Sequence, residues 1–180
     1  DIASYFPLTA MMKLAEAGYI GSVSPRFYGL PTNRSQRTTR DIDCPALLAD
    51  CQEDIVDAVV MVPNCPVCHQ SVAIAAHCLE SAGIATVIMG CAKDITEYVG
   101  VPRLLFSDLP LGNAAGLPHD SDAQNLLAKL AVDLLVEAAA PRTTKASPLA
   151  WSGVPDWKKD YSNAALLSAE EIAERRAEFD

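Results

Sequence analysis

Apolar and polar positions alternate in blocks along the first 140 residues of the chain. Two largely apolar runs, at 57–62 and 84–89, have the composition of strands that are covered on both faces of a sheet. Shorter runs at 19–23 and 103–106 are predicted to be two more strands. The pattern therefore predicts about four strands, all of them short.

Amphipathic stretches separate these runs. Their apolar residues recur every three or four positions, which predicts helices at 7–18, 45–53, 66–81, 93–99 and 122–140. Strands that alternate with helices are typical of βαβ units, in which consecutive strands run parallel. The sequence therefore predicts an α/β fold with three layers: a mostly parallel, flavodoxin-like sheet of about four strands with helices on both faces.

Two segments show neither period. Residues 24–43 are rich in arginine and are predicted to form a long loop. Beyond residue 140 the chain carries several prolines and both tryptophans. We predict an α/β domain over 1–140 and an extended tail over 141–180, which ends in a short helix opened by a capping box at 168–171. The tryptophans indicate a tail that packs either on a partner subunit or on its own domain.

Composition limits the partners that the chain can bind. Its net charge of −9 at pH 7 disfavours nucleic acid, because neutralising phosphates requires clustered basic residues. No apolar run approaches the roughly 20 residues of a membrane span, and no charged-then-apolar leader is visible. Six cysteines are too few for a secreted disulfide scaffold. These features predict a cytoplasmic protein that binds neither nucleic acid nor membrane.

The sequence Cys65-Pro66-Val67-Cys68 lies where the run at 57–62 gives way to a helix. Proline suits the first position of a helix, so Cys65 is predicted to be the N-cap and Cys68 the third helical residue. Unpaired amides and the positive end of the helix dipole then favour thiolate over thiol. The spacing also allows a disulfide between the two sulfurs. We predict a reactive cysteine pair, whereas Cys44, Cys51 and Cys78 are predicted to be core residues.

Zinc is the main alternative for a CxxC sequence, because structural zinc sites use cysteine pairs at this spacing. Such sites need four ligands, commonly from a second CxxC or a histidine pair. Here His69 directly follows Cys68, and Cys91 and His119 stand alone in the sequence. We therefore predict no metal and no other cofactor.

Five polar residues near the pair in sequence or in the predicted sheet are candidates for substrate binding: Asn64, His69, Cys91, Arg103 and His119. Cys91 follows the strand at 84–89, so a parallel sheet brings it to the same edge as the pair. It is either a third thiol of the site or a buried bystander. Arg103 begins the next strand and either meets an anionic substrate or pairs with Asp108. His119 lies in a loop rich in glycine and proline that is predicted to wall the pocket.

The motifs of the chain follow one another in a recognisable order from about Phe6 to Leu135. They are FPL at 6–8, GYIGS at 18–22, VDAVV at 56–60, PNCPVC at 63–68, AGIAT at 82–86, PRLLF at 102–106 and PLG at 110–112. In this order they resemble the glycine/sarcosine/betaine reductase selenoprotein B family, the group to which D-proline reductase belongs.

The resemblance implies a reductive cleavage at a carbon beside a carboxylate. It places Cys65 at the position that is selenocysteine in those reductases and makes Cys68 the thiol that resolves the adduct. It also implies a partner subunit that bears a pyruvoyl group, which this chain does not supply. Because a thiolate is a weaker nucleophile than a selenolate, a cysteine enzyme suits a substrate with a better leaving group than an unactivated amine.

These observations predict a thiol-dependent reductase that uses Cys65 and Cys68 on a small, carboxylate-bearing substrate. A thioredoxin-like oxidoreductase is one alternative, and an antiparallel strand at 103–106 would favour it. A cysteine racemase is another, with Cys91 as the facing thiol. The chain is otherwise a partner subunit of a multi-subunit reductase, without catalysis of its own, and a homo-oligomer is also compatible with the sequence.

Overall fold

The computed structural model of the protein describes residues 1–151, 156–160 and 167–177. Within these residues the sheet has four strands: β1 (Ala58–Met61), β2 (Ala85–Gly90), β3 (Arg103–Phe106) and β4 (Thr143–Ala146). They lie side by side in chain order, and every neighbouring pair is parallel. The carboxyl ends of all four strands therefore meet at one edge of the sheet.

The helices in chain order are α1 (Leu8–Glu16), α2 (Gln36–Thr38), α3 (Cys44–Glu53), α4 (Pro66–Ser81), α5 (Lys93–Val99), α6 (Ser121–Glu137), α7 (Trp157–Asp160) and α8 (Ala169–Ala177). A 3-10 turn at Ile2–Ser4 precedes α1, and a π-helical turn at Thr39–Asp43 joins α2 to α3. The five helices predicted within the first 140 residues are confirmed, whereas the predicted loop becomes helical from residue 36. No helix of the described residues is long and apolar enough to cross a membrane.

Strand side chains alternate between two hydrophobic clusters, one on each face of the sheet. Ile88 and Leu104 pack with residues of α3 and α4 on one face. Val87, Met89 and Leu105 pack with residues of α6 on the other face. The predicted three-layer α/β fold, with a parallel sheet between two layers of helices, is confirmed.

The fourth strand is β4, and the strand predicted at 19–23 is wrong. The amides of Tyr19 and Ile20 both donate to the Leu14 carbonyl, so this segment closes the end of α1. The Tyr19 hydroxyl donates a hydrogen bond to Asp133 of α6. By contrast, β4 has the sequence Thr-Thr-Lys-Ala, is an edge strand and is only partly buried, so no apolar run marks it in the sequence.

Contacts within the chain define two compact units, Asp1–Leu149 and Ala150–Asp180. The domain boundary at residue 140 remains a prediction, although residues 143–146 lie in the sheet. In the second unit the predicted capping box is confirmed. The Ser168 amide donates to Glu171 Oε2 at 2.8 Å, and the Glu171 amide donates to Ser168 Oγ at 3.2 Å.

Leu134 and Val136 lie on the same helix, α6, with exposed fractions of 2% and 86%. Replacing Leu134 with Ala should lower the free energy of unfolding by about 2–5 kcal/mol, because it leaves a cavity between α6 and the sheet. The matched control Val136→Ala should change that free energy by no more than about 0.5 kcal/mol. Urea denaturation measures both, and equal effects would contradict the packing of α6.

Candidate redox site

The connection from β1 to α4 carries the two cysteines at the carboxyl edge of the sheet. Pro66 is the first residue of α4, and Cys65 is the N-cap with an extended backbone (φ −138°, ψ 165°). The Cys68 amide donates a hydrogen bond to Cys65 Sγ at 3.1 Å. The two sulfurs form a disulfide, with the Cα atoms 5.0 Å apart. The predicted N-cap position of Cys65 is confirmed.

The electrostatic surroundings of the pair come from the start of α4. The first amides of a helix have no partner within the helix, and the helix dipole is positive at this end. When the disulfide is reduced, these groups favour a thiolate at Cys65 over a thiol. Both cysteines are partly exposed, so a small reactant can reach them. The arrangement fits a thiol–disulfide couple.

His69 follows the pair, is fully buried and uses both ring nitrogens. Its Nε2 lies 3.0 Å from the Cys91 amide nitrogen and 3.1 Å from that of Ala92. Backbone amides only donate, so Nε2 accepts both hydrogen bonds and the ring proton is assigned to Nδ1. Nδ1–H then donates to the Cys65 carbonyl at 2.7 Å. A neutral imidazole thus joins the segment after β1 to the segment after β2.

Cys91 lies at the same sheet edge as the pair, on the far side of the His69 ring. Its Sγ is 3.8 Å from the Pro110 carbonyl oxygen. Burial raises the pKa of Cys91 to about 12, and the nearby charge of Asp108 also raises it. The thiol is therefore protonated at neutral pH. Its role in substrate binding remains a prediction.

Arg103 lies away from the cysteines. Its Nη1 donates to Glu80 Oε1 at 2.7 Å. Glu80 is near the end of α4, about 22 Å along the helix from Cys65 at 1.5 Å per residue. The guanidinium therefore forms its ion pair with Glu80 rather than with Asp108. The structure does not bring Arg103 together with the pair, and its predicted contact with substrate is left untested.

The two remaining candidates for substrate binding, Asn64 and His119, are exposed. Asn64 directly precedes Cys65 and so lies at the mouth of the site. His119 has a left-handed backbone (φ 59°), and its amide donates to Asp1 Oδ2 at 2.7 Å. Their contacts with substrate remain predictions.

Cys44 and Cys51 differ from the pair in burial, whereas Cys78 has the same intermediate exposure as Cys65 and Cys68. Cys44 and Cys51 are buried, as predicted, in the cluster that contains α3 and α4, and Cys78 is partly buried against that cluster. Burial raises the pKa of Cys44 to about 12 and also raises that of Cys51. Burial therefore disfavours a thiolate at Cys44 and at Cys51.

The residues CPVCH at 65–69 also have the spacing of a c-type haem attachment site. The geometry does not fit that group, because the His69 ring is buried and both of its nitrogens are engaged in hydrogen bonds. In the part of the chain that the structure describes, no three His, Cys, Asp or Glu side chains are grouped to hold a metal ion. The arrangement favours thiol chemistry.

The bridge formed by His69 is a feature that sequence reasoning missed. Gly90 is the signal that could have indicated it, because a glycine in a strand often marks a close approach. A Cβ at Gly90 would lie 3.2 Å from His69 Cδ2 and 3.3 Å from Leu104 Cδ1. Gly90 therefore leaves the space that the ring occupies.

Burial lowers the pKa of His69 below its ordinary value of 6.5. As the pH falls, the imidazole of the unfolded chain therefore binds a proton at a higher pH than that of the folded chain. Stability tied to the neutral ring is complete above pH 6.5 and is lost as the pH falls from 6.5 toward the lower pKa of the folded state. We expect the free energy of unfolding to fall from pH 7 to pH 5 in the wild type and to fall less in His69→Asn.

The matched control for this experiment is His77→Asn, because His77 lies on the same helix but is exposed. It should keep the pH dependence of the wild type. Asp54 and Asp133, whose pKa values are lowered by hydrogen bonds from Arg26 and Lys129, titrate below this pH window. Urea titrations at both pH values measure the effect, and a His69→Asn protein with unchanged pH dependence would contradict it.

Comparison with known proteins identifies a relative of this chain. The chain is 28% identical over 155 residues to D-proline reductase subunit gamma of Acetoanaerobium sticklandii. The match covers 86% of this chain and 63% of that protein, so the chain spans less than two thirds of the relative's length. No family model and no solved structure matches the chain. The similarity makes the chain a distant relative of this reductase subunit and broadly supports the reductase relationship that its motifs indicate.

Proposed function

We propose that this chain supplies the redox-active cysteine pair of a reductase, in which Cys65 attacks the substrate and Cys68 resolves the adduct. The observation that carries the proposal is the geometry of the pair: Cys65 is the N-cap of α4, and its sulfur is bonded to that of Cys68. A helix N-terminus lowers the pKa of a cysteine and so favours its thiolate form. The similarity to D-proline reductase subunit gamma supports a reductive reaction.

The proposed reaction transfers two electrons from the dithiol to the substrate. The Cys65 thiolate attacks a carbon, forms a carbon–sulfur bond and displaces the leaving group with its electron pair. The Cys68 thiolate then attacks the Cys65 sulfur. The carbon–sulfur bond breaks, the Cys65–Cys68 disulfide forms, and the carbon takes up a proton. An external dithiol returns the pair to the reduced state by exchange.

The proposed substrate is small and bears a carboxylate. The relative's name refers to D-proline, in which the ring nitrogen is attached to the carbon beside the carboxyl group. A neighbouring carboxyl group accepts part of the negative charge that develops when the carbon–sulfur bond breaks. Because Cys65 is a thiol, we propose a substrate whose leaving group is better than an unactivated amine.

The relative is one subunit of a reductase, so we propose that this chain works with a partner subunit. Self-association into a homo-oligomer is the alternative arrangement. A cytoplasmic location belongs to the same proposal, because a reducing compartment keeps such a pair available as thiols. A chain that only assembles with a partner, without chemistry of its own, is the competing hypothesis.

Thioredoxin-like thiol–disulfide exchange is the second candidate function, because the disulfide between Cys65 and Cys68 is the product that such exchange forms. That hypothesis predicts an antiparallel strand at 103–106. In the structure β3 pairs with β2 in parallel, which favours the reductase instead. A racemase needs a second activated thiol across the pocket, whereas Cys91 is partly buried and its pKa is raised.

The two cysteines have different roles in this mechanism, so their substitutions should have different effects. In Cys68→Ser the first step is intact but resolution is blocked, so about one covalent adduct per chain should accumulate on Cys65. Cys65→Ser should form none. The reduced proteins are offered a 2-chlorocarboxylate, whose chloride leaves more readily than an amine, or a low-molecular-weight disulfide, and intact-mass and peptide mass spectrometry locate the adduct.

The matched control is Cys78→Ser, which removes a free thiol from the same helix. It should behave as the wild type does and trap nothing. Normal turnover by Cys68→Ser, with no trapped species, would refute the two-thiol mechanism. Adduct-free variants that still bind a partner would indicate the non-catalytic subunit.

A further inference from the structure

We infer that His69 is the positioning residue of the cysteine pair: its buried ring holds the Cys65 peptide group in the N-cap conformation and ties it to the loop that carries Cys91. The inference rests on the proposed function, because it gives His69 a task in preparing Cys65 for attack. The hydrogen bonds on the two edges of the ring and the close packing of Gly90 carry it.

The Cys65 carbonyl oxygen receives two hydrogen bonds from one residue. The His69 amide donates at 3.0 Å, and His69 Nδ1–H donates at 2.7 Å. The first is the ordinary opening hydrogen bond of an α-helix, whereas the second is additional. Two donors on one oxygen restrain the Cys65–Pro66 peptide plane, and so the ψ angle of Cys65.

The restrained backbone in turn places the sulfur. In its extended conformation Cys65 directs Sγ at the Cys68 amide, which donates at 3.1 Å. A rotation of the Cys65 peptide group would move Sγ away from this amide and from the positive end of the helix dipole. The ring therefore acts on the thiolate through the backbone, without touching the sulfur.

The opposite edge of the ring is anchored on the neighbouring strand. The amides of Cys91 and Ala92 donate to Nε2 at 3.0 and 3.1 Å, and Ala92 is the N-cap of α5. Gly90 packs against the ring so closely that a Cβ there would lie 3.2 Å from Cδ2. The sheet, and not α4 alone, therefore sets the position of the ring.

The burial of His69 favours a positioning role over direct contact with substrate. The exposed fraction of His69 is 0%, and both ring nitrogens already have protein partners. A buried polar group with all its partners is stable, whereas removing one partner leaves an unpaired group in the interior. The geometry thus favours positioning over the substrate binding predicted for His69 from the sequence.

Two substitutions separate the two edges of the ring. In His69→Asn the side-chain amide nitrogen takes the place of Nδ1 and can still donate to the Cys65 carbonyl, while the acceptor for Cys91 and Ala92 is lost. In His69→Gln the amide oxygen reaches the place of Nε2 and can accept from those amides, while the donor to Cys65 is lost. The Asn variant is therefore the conservative variant for the cysteine.

The test is the pH profile of Cys65 alkylation by iodoacetamide in the reduced full chain, followed by peptide mass spectrometry with Cys78 as the internal reference. His69→Gln should move the profile to higher pH and slow alkylation at pH 7 by roughly three- to tenfold, the effect of one lost hydrogen bond. His69→Asn should remain closer to the wild-type profile. A residue that only supports folding would leave both profiles unchanged, and that result, or equal shifts, would overturn the inference.

Failure of the inference is distinguishable from failure of the proposed function. Wild-type Cys65 that reacts no faster than Cys78 would overturn the proposed function and, with it, this inference. Fast wild-type Cys65 with unchanged variants would overturn the inference alone. Should His69→Gln not fold, nitrogen NMR of the wild-type histidine ring decides: a neutral ring protonated at Nδ1 supports the inference, and one protonated at Nε2 overturns it.

Discussion

The hydrogen bond from the Cys68 amide to the Cys65 sulfur depends on two features of the fold. It requires α4 to begin at Pro66, so that the Cys68 amide has no partner within the helix. It also requires Cys65 to be extended, which turns its side chain toward that amide. Because β1 and β2 are parallel, both strands end at the same edge of the sheet. Cys65 and the start of α4 follow β1 at that edge.

The cysteines of this chain lie in surroundings that have opposite effects on their thiolate form. The start of α4 favours the charged form of Cys65. At the same edge, burial raises the pKa of Cys91 to about 12. In the core cluster that contains α3 and α4, burial raises the pKa of Cys44 to the same level. A helix dipole and burial thus act in opposite directions on the same kind of side chain. By this account Cys65 and Cys68 are the reactive pair, whereas Cys44 and Cys51 are buried and Cys78 and Cys91 are partly buried.

The features that could be predicted from the sequence depend on local patterns. The apolar runs that form β1 and β2 need no knowledge of distant residues, and Pro66 alone indicates where α4 begins. Predictions from local patterns failed where tertiary contacts determine the structure of a segment. The segment after α1 has the composition of a strand, but Tyr19 bonds to Asp133 of α6 instead.

Contacts between residues distant in the sequence could not be predicted in the same way. The edge strand β4 is polar and only partly buried, so its sequence carries no apolar run that would indicate a strand, and its place in the sheet depends on pairing with β3. His69 meets the amides of Cys91 and Ala92, which are more than 20 residues away in the sequence. The ion pair of Arg103 with Glu80 spans a similar separation. Periodicity describes which faces are apolar, but it does not describe which polar groups meet.

A redox titration tests the central claim, that Cys65 and Cys68 form a reversible two-electron couple, most directly. The full chain is equilibrated with mixtures of reduced and oxidised dithiothreitol, its free thiols are alkylated, and the peptides are mapped by mass spectrometry. The account predicts that Cys65 and Cys68 gain and lose alkylation together, with a disulfide between them, while Cys44, Cys51, Cys78 and Cys91 stay reduced. Independent behaviour of the two cysteines, or pairing of either one with another residue, would contradict it.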